Sequence, residues 1–307
     1  MHVHNVEGLG IGALLKLQYP LPLIYHAHNA MGPELPTYFK AHMAQAFASM
    51  VGEVIDRTFP KIADAVVTFD QDHKAFHELY GVEEERIFVI PPGLDHRELG
   101  GAEQDKVDKL RQEYGPGPWL IYAGNPDGYQ NLPLLWKAFA LLRKTQPKLR
   151  LLVASHHPTA AFESDNPTLS KADGIRIHTY HNLAELKAIL AFADIAVCPR
   201  NLWAGAPIKL LNYLCAGLPT VACRIAARHI LEGVHEARIT NDTPEDFAAA
   251  CESLLGVQKI PPSTQRRYLE RFDIEKQVPL YERVYRKVLN RQKKSRLIKR
   301  KGISSSA

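Results

Sequence analysis

The sequence predicts an α/β protein built from βα units on parallel sheets and divided into two domains. Strand-sized apolar runs alternate with longer helical patterns along the chain. A break at Gly115-Pro116-Gly117-Pro118 then parts two stretches that share this rhythm. The bulk agrees: 307 residues, 46% hydrophobic and 23% charged, supply apolar material for two cores.

In order along the chain, residues 23–28 read as a strand, 36–57 as a helix and 65–69 as a strand. Residues 70–80 read as a helix stopped by Gly81, and 86–90 as a strand that Pro91-Pro92-Gly93 breaks. The polar stretch 98–118 reads as a linker. Beyond it, strands over 119–123, 149–154, 174–178, 194–198 and 220–223 alternate with helices over 132–144, 182–192, 207–215 and 244–255. The expected domains are therefore residues 1–97 and 119–264. The second holds five or six strands and the first only about three.

Several classes are set aside by composition. No apolar run approaches the roughly 20 residues of a membrane-spanning helix, and Met1-His2-Val3-His4 is not the start of a secretory signal. Cys198, Cys215, Cys223 and Cys251 show no CxxC spacing and read as small buried hydrophobes of a reducing, cytoplasmic compartment. The net charge of +5 is concentrated at the end, where ten Lys and Arg between Arg283 and Lys301 meet no acidic residue. The rest is slightly acidic. The basic tail, residues 291–307, is either a solvated end or a contact for anionic lipid at the inner face of a membrane or for nucleic acid.

Ligands of open parallel sheets bind in the loops beyond the carboxyl ends of strands, and three such loops carry chemistry. In the first, Gly124 and Gly128 allow close backbone approach, with Asn125 and Gln130 between them and the next helix. A plain βα turn is the alternative. In the second, Pro207 suits a first helical turn, and Lys209 and Asn212 share one helix face, suited to a diphosphate and ribose hydroxyls. A surface lysine beside a helix start is the bland reading. In the third, His26 and His28 share one strand face, followed by Asn29 and Glu34. Paired histidines suit acid–base or metal chemistry. With no further Cys or carboxylate at ligand spacing, no metal is expected. Gly8, Gly10 and Gly12 show no visible strand-then-helix unit, and His156-His157 reads as solvent-exposed.

At these residues the sequence resembles the family 4 glycosyltransferases. Residues 63–67 and 81–95, with IFVIPPGLD, resemble the segment ending that family's acceptor domain. Residues 122–139 resemble the first strand–loop–helix of its donor domain. GAPIKLLNYLCAGLPTVA, residues 205–222, resembles its donor-binding helix and is the most specific match. The resemblance implies the GT-B fold, two Rossmann-like domains facing across a cleft. It also implies retaining transfer of a sugar from a nucleoside diphosphate sugar to a glycan or lipid-linked acceptor, without metal or other cofactor. Residues 265–290 would be helices packing back towards the first domain.

By position in that family, His28 matches the histidine near the scissile bond, with His26, Asn29 and Glu34 on the acceptor side. Tyr180-His181 matches the loop whose backbone contacts the base. Asn125 and Gln130 stand where typical members place Arg and Lys on the donor phosphates. Ala204 and Asn212 stand where two glutamates sit, the second binding ribose. Lys209, and Arg200 at the end of the preceding strand, would supply the missing charge. Family members also carry further βα units before the His28 strand, so the first domain is expected to be incomplete. A nucleotide-sugar epimerase of the same fold and a non-catalytic nucleotide-sugar-binding subunit are the alternatives. Nucleic acid is not an expected partner.

Overall fold

The computed structural model describes residues 1–95, 101–163, 173–203 and 205–303, with side chains described up to 294. The chain divides into two compact units. One comprises Met1–Leu94 and Arg271–Ala307 with a contribution from Ala204–Ala206; the other comprises Asp95–Trp203 and Pro207–Glu270.

The first unit runs β1 (His2–His4), α1 (Asn5–Gln18), β2 (Ile24–His26), α2 (Met31–Glu34), α3 (His42–Thr58), β3 (Ala65–Thr68), α4 (Gln71–Leu79) and β4 (Ile87–Val89). Its four strands are parallel in the order β1-β2-β3-β4. β2 and β3 are buried at every position, as parallel strands covered on both faces must be. Leu23, Tyr25, Ala27 and Val66 face a core shared with Leu9 of α1. On the other face Ile24, Ala65 and Val67 meet Val284 and Val288 of a long C-terminal helix, Ile274–Ile303.

Two expectations are corrected here. The first unit has four strands, not three, because His2–His4 pairs with β2, with His4 opposite His26. A strand follows directly into α1, so Gly8, Gly10 and Gly12 lie in a helix of a strand–helix unit. Three residues are too short to show a period, which hid the strand. The second correction concerns the end of the chain. The C-terminal helix takes in most of the residues read as a separate tail, and Arg291 Nη2 pairs with Glu85 Oε2 at 2.9 Å.

The second unit contains α5 (Gln104–Tyr114), β5 (Trp119–Ala123), α6 (Leu132–Thr145), β6 (Arg150–Ser155), α7 (Thr159–Glu163), β7 (Ile175–Thr179), α8 (Leu183–Phe192) and β8 (Ile195–Cys198). These are followed by α9 (Lys209–Cys215), β9 (Thr220–Cys223), α10 (Arg224–Ala227), β10 (Ala237–Thr240), α11 (Pro244–Ser253) and α12 (Pro262–Leu269). Six parallel strands lie in the order β10-β9-β8-β5-β6-β7. From β5 the chain first builds outward to β6 and β7, then returns to lay β8 against the other side of β5. The junction of β5 and β8 is therefore the topological switch point, where open α/β sheets hold ligands.

The stretch read as a linker, 98–118, is in large part helix. Val107, Leu110 and Tyr114 form a stripe at i, i+3 and i+7; the first two are buried, and the Tyr114 hydroxyl meets His178 Nδ1 at 2.7 Å. One narrow apolar stripe among charged residues left the composition looking like a loop. Residues 96–100 of that stretch lie outside the described residues.

Gly52 tests the packing of the first unit. A Cβ there would strike the Met31 carbonyl and stand 2.8 Å from the Gly32 nitrogen, both backbone atoms that cannot swing aside. Gly52→Ala is expected to destabilise the unit by about 1–3 kcal/mol, read as a lower denaturant midpoint with an unchanged slope.

Candidate functional site

In the second unit the residues singled out from sequence converge at the switch point. The loop after β5 carries Gly124, Asn125 and Gln130, and α9 brings Lys209 to the same place. Lys209 Nζ donates to Gln130 Oε1 at 2.8 Å and to the Tyr122 hydroxyl at 3.1 Å, and lies 4.2 Å from the Tyr122 ring centroid. Gly124 makes room for it: a Cβ there would collide with the Lys209 ammonium and stand 2.9 Å from the Tyr122 hydroxyl.

The polar groups form a chain with one direction. An ammonium has no acceptor, so Gln130 must present its oxygen to Lys209. Its amide nitrogen then donates to Asn125 Oδ1 at 3.1 Å, and Asn125 Nδ2 donates to Asp127 Oδ2. The Tyr122 hydroxyl donates to the Asn125 carbonyl at 2.7 Å. A cation at one end and a carboxylate at the other polarise two amides in the same sense. Asn125 and Gln130 are thus engaged in aiming Lys209. Burial pushes the Lys209 pKa down to about 8, and the nearby Arg200 guanidinium works in the same direction.

Arg200 is buried beyond the end of β8, with Nε donating to Leu202 O at 3.2 Å and its guanidinium 5.1 Å from the Tyr129 centroid. Asn131, in the left-handed region at φ 55°, ties the loop to that strand end by donating to Pro199 O at 3.2 Å. Asn212 sits half-buried one turn along α9 from Lys209. The helix begins at Lys209, two residues later than expected, because Leu210 N–H bonds the buried Pro207 carbonyl in a tighter turn. Tyr180 follows β7; its N–H bonds Ser155 O at 2.9 Å and its carbonyl accepts from His156 Nδ1 at 3.0 Å. Tyr180 and Asn212 are outside the Lys209 chain. Ala204 lies outside the described residues. Tyr122 and Tyr129 were missed by sequence reasoning; the signals were a hydroxyl-bearing residue in an otherwise apolar strand and an aromatic ring in the polar loop after it.

The first unit gathers a second cluster. Strand pairing sets His2 and His4 beside His26 and His28 on one face, with ring centroids 4.5–5.7 Å apart between neighbours. His4 Nδ1 meets His28 Nε2 at 2.8 Å, and the half-buried His28 ring stands edge-on to Phe69. His26 is 4% exposed, and burial, with the neighbouring imidazoles, pushes its pKa down to about 3. Burial lowers His2 to about 4, and His28 moves in the same direction. Ring nitrogens of His2, His4 and His26 lie within 4.8 Å of one another. His2 and His4 were not weighed as ligands from sequence, although His-x-His at residues 2–4 repeats the pattern at residues 26–28. Asn29 lies half-buried just past this cluster. Glu34 is buried in α2 and accepts from the Tyr38 hydroxyl at 2.8 Å.

Three of the four cysteines are buried and Cys215 is half-buried; all four are free thiols whose pKa burial raises. Among the described residues no helix is long and apolar enough to cross a membrane.

Known proteins share both units. The model for Glycosyltransferase Family 4 matches residues 1–98, and that for Glycosyl transferases group 1 matches residues 117–256. The chain belongs to the family 4, group 1 glycosyltransferases. Its relatives include the D-inositol 3-phosphate glycosyltransferase of Segniliparus rotundus, 22% identical over 83% of this chain and 58% of that one. That of Geodermatophilus obscurus is 22% identical over 91% and 64%. The chain thus spans about three fifths of the length of these relatives. Among solved structures, Anabaena HepE in complex with UDP and glucose matches with a TM-score of 0.74 at 15% identity, covering 94% of this chain and 78% of that one. Sucrose-phosphate synthase from Thermosynechococcus elongatus matches at 0.77 and 14%, covering 94% and 73%. These likenesses establish the GT-B fold for this family member.

The direction of the amide chain makes a prediction. Gln130→Glu places a carboxylate against the Lys209 ammonium, which raises the lysine pKa and neutralises the local charge. The ammonium is expected to titrate at least one pH unit higher, read by NMR of the labelled lysine.

Proposed function

We propose that this chain binds a nucleoside diphosphate sugar in its second unit and transfers the sugar, with retention and without metal, to a glycan or lipid-linked acceptor. The observation that carries the reading is the half-buried Lys209, held at the β5–β8 switch point by the Gln130–Asn125 chain and given space by Gly124. A partly desolvated cation at that point suits a diphosphate, whose leaving group gains negative charge as the sugar bond breaks. Aimed cations at such a site commonly contribute several kcal/mol to transfer. Arg200 adds a second fixed charge beyond the neighbouring strand. Asn212, on the same side of α9, is assigned to the ribose hydroxyls. The base is assigned to the Tyr180-His181 loop on family resemblance.

His28 is assigned to the transfer step on family resemblance, with His26, Asn29 and Glu34 on the acceptor side. The UDP complexes of the HepE neighbour and the naming of its relatives support a nucleotide-sugar donor for this chain too. The basic end of the C-terminal helix is assigned to peripheral contact with an anionic membrane surface, at the inner face of a cytoplasmic compartment.

The test is calorimetric titration of the chain with UDP and a panel of nucleoside diphosphate sugars, in chelator. Binding at pH 7 that Lys209→Ala weakens at least tenfold is the expected result. Absence of binding by folded protein would overturn the reading. The pH dependence follows from the lysine: its charge is present below about pH 8 and lost above it. Affinity is therefore expected to fall between pH 7 and pH 9 in the wild type and to stay flat over that window in Lys209→Met.

A further inference from the structure

The histidine cluster of the first unit has free nitrogens where ligands are needed. His2 Nδ1 is engaged by the Tyr285 hydroxyl at 2.9 Å, which leaves His2 Nε2 buried and without a hydrogen-bond partner. His4 Nδ1 is engaged by His28 Nε2, which leaves the other ring nitrogen of His4. His26 has both ring nitrogens buried and neither partnered. Three buried imidazole nitrogens without partners at one spot run against the rule that buried polar atoms are satisfied. Packing alone would favour apolar rings there.

We propose that His2, His4 and His26 form a binding site for a borderline divalent transition metal, zinc, copper or cobalt in character. Imidazole nitrogen is the donor these ions prefer over magnesium or calcium. Three ring nitrogens within 4.8 Å of one another need to close by about 1.5 Å to reach the roughly 3.3 Å separation of a tetrahedral site with bonds of about 2.0–2.1 Å. His2 and His4 lie on a sheet edge and are part-exposed or exposed, so side-chain rotation supplies that closure. The outer contacts are also in place: the Tyr285 hydroxyl orients His2, and His28 orients His4. Three protein ligands leave a fourth position open, the arrangement of a site that exchanges a ligand. The inference does not rest on the donor site, which uses none of these residues to hold the diphosphate, although His26 and His28 are shared with the acceptor-side and transfer assignments.

The test is a Co2+ titration of the full chain, prepared without an affinity tag and stripped with chelator, at neutral pH. The expected result is one equivalent bound with the visible d–d absorption of a tetrahedral nitrogen-ligated ion, bleached by Zn2+, and a rise in Tm with Zn2+. His26→Asn is expected to weaken binding at least tenfold, and Lys209→Ala to leave it unchanged. If His26→Asn does not fold by circular dichroism, His2→Gln, at a part-exposed position, carries the same expectation. No binding by folded wild-type protein, or binding unchanged in the folded variants, would overturn the proposal and leave the four rings as a packed stack.

Discussion

A lysine ammonium can only donate hydrogen bonds, and that constraint orders the polar groups at the end of β5. Lys209 fixes which end of Gln130 faces it, Gln130 fixes Asn125, and Asn125 reaches Asp127. The Tyr122 hydroxyl braces the same loop through the Asn125 carbonyl. Reversing any one amide would set two donors or two acceptors face to face inside a poorly hydrated site, at a cost of about 1–3 kcal/mol. The loop is therefore rigid in a defined sense: its amides have a single satisfied arrangement. By family position, the amides at 125 and 130 stand where cations are expected. In the structure they are the scaffold of a cation that comes from α9.

Much of the second unit was legible because β5, β8 and β9 are buried at every position and β6 at all but its first, so they appear as apolar runs. Their order in the sheet was not, since the crossover that puts β8 beside β5 leaves no local signature. Lys209, Gly124 and Gln130 were found from loop position, and their mutual contact required the fold. The first unit was less legible. β1 is too short to show a period; in the second unit, the stripe of α5 is too narrow to outweigh its charges. Asn182 and Asp70, by contrast, stand where helix starts were read, and each accepts a backbone N–H from three residues on.

The two units place unusual chemistry by different means. In the second, a cation is drawn in from a helix and held by loop amides. In the first, parallel pairing alone assembles the histidines: two strands of alternating pattern, set in one register, bring four imidazoles to one face. Neither strand carries the constellation by itself, so it belongs to the sheet. The C-terminal helix closes over it with Tyr281 and Tyr285, so residues nearly the whole chain apart share one small cluster.

That dependence on register has a consequence for how the first unit assembles. His4 stands opposite His26, and a slip of one residue would turn His2 and His4 to the far face and bring Val3 round in their place. The imidazole face is thus a reporter of correct strand alignment. The ring NMR shifts of those histidines would reach their native values only after β1 has docked on β2. They would time the addition of a three-residue edge strand separately from the collapse of the core beneath it.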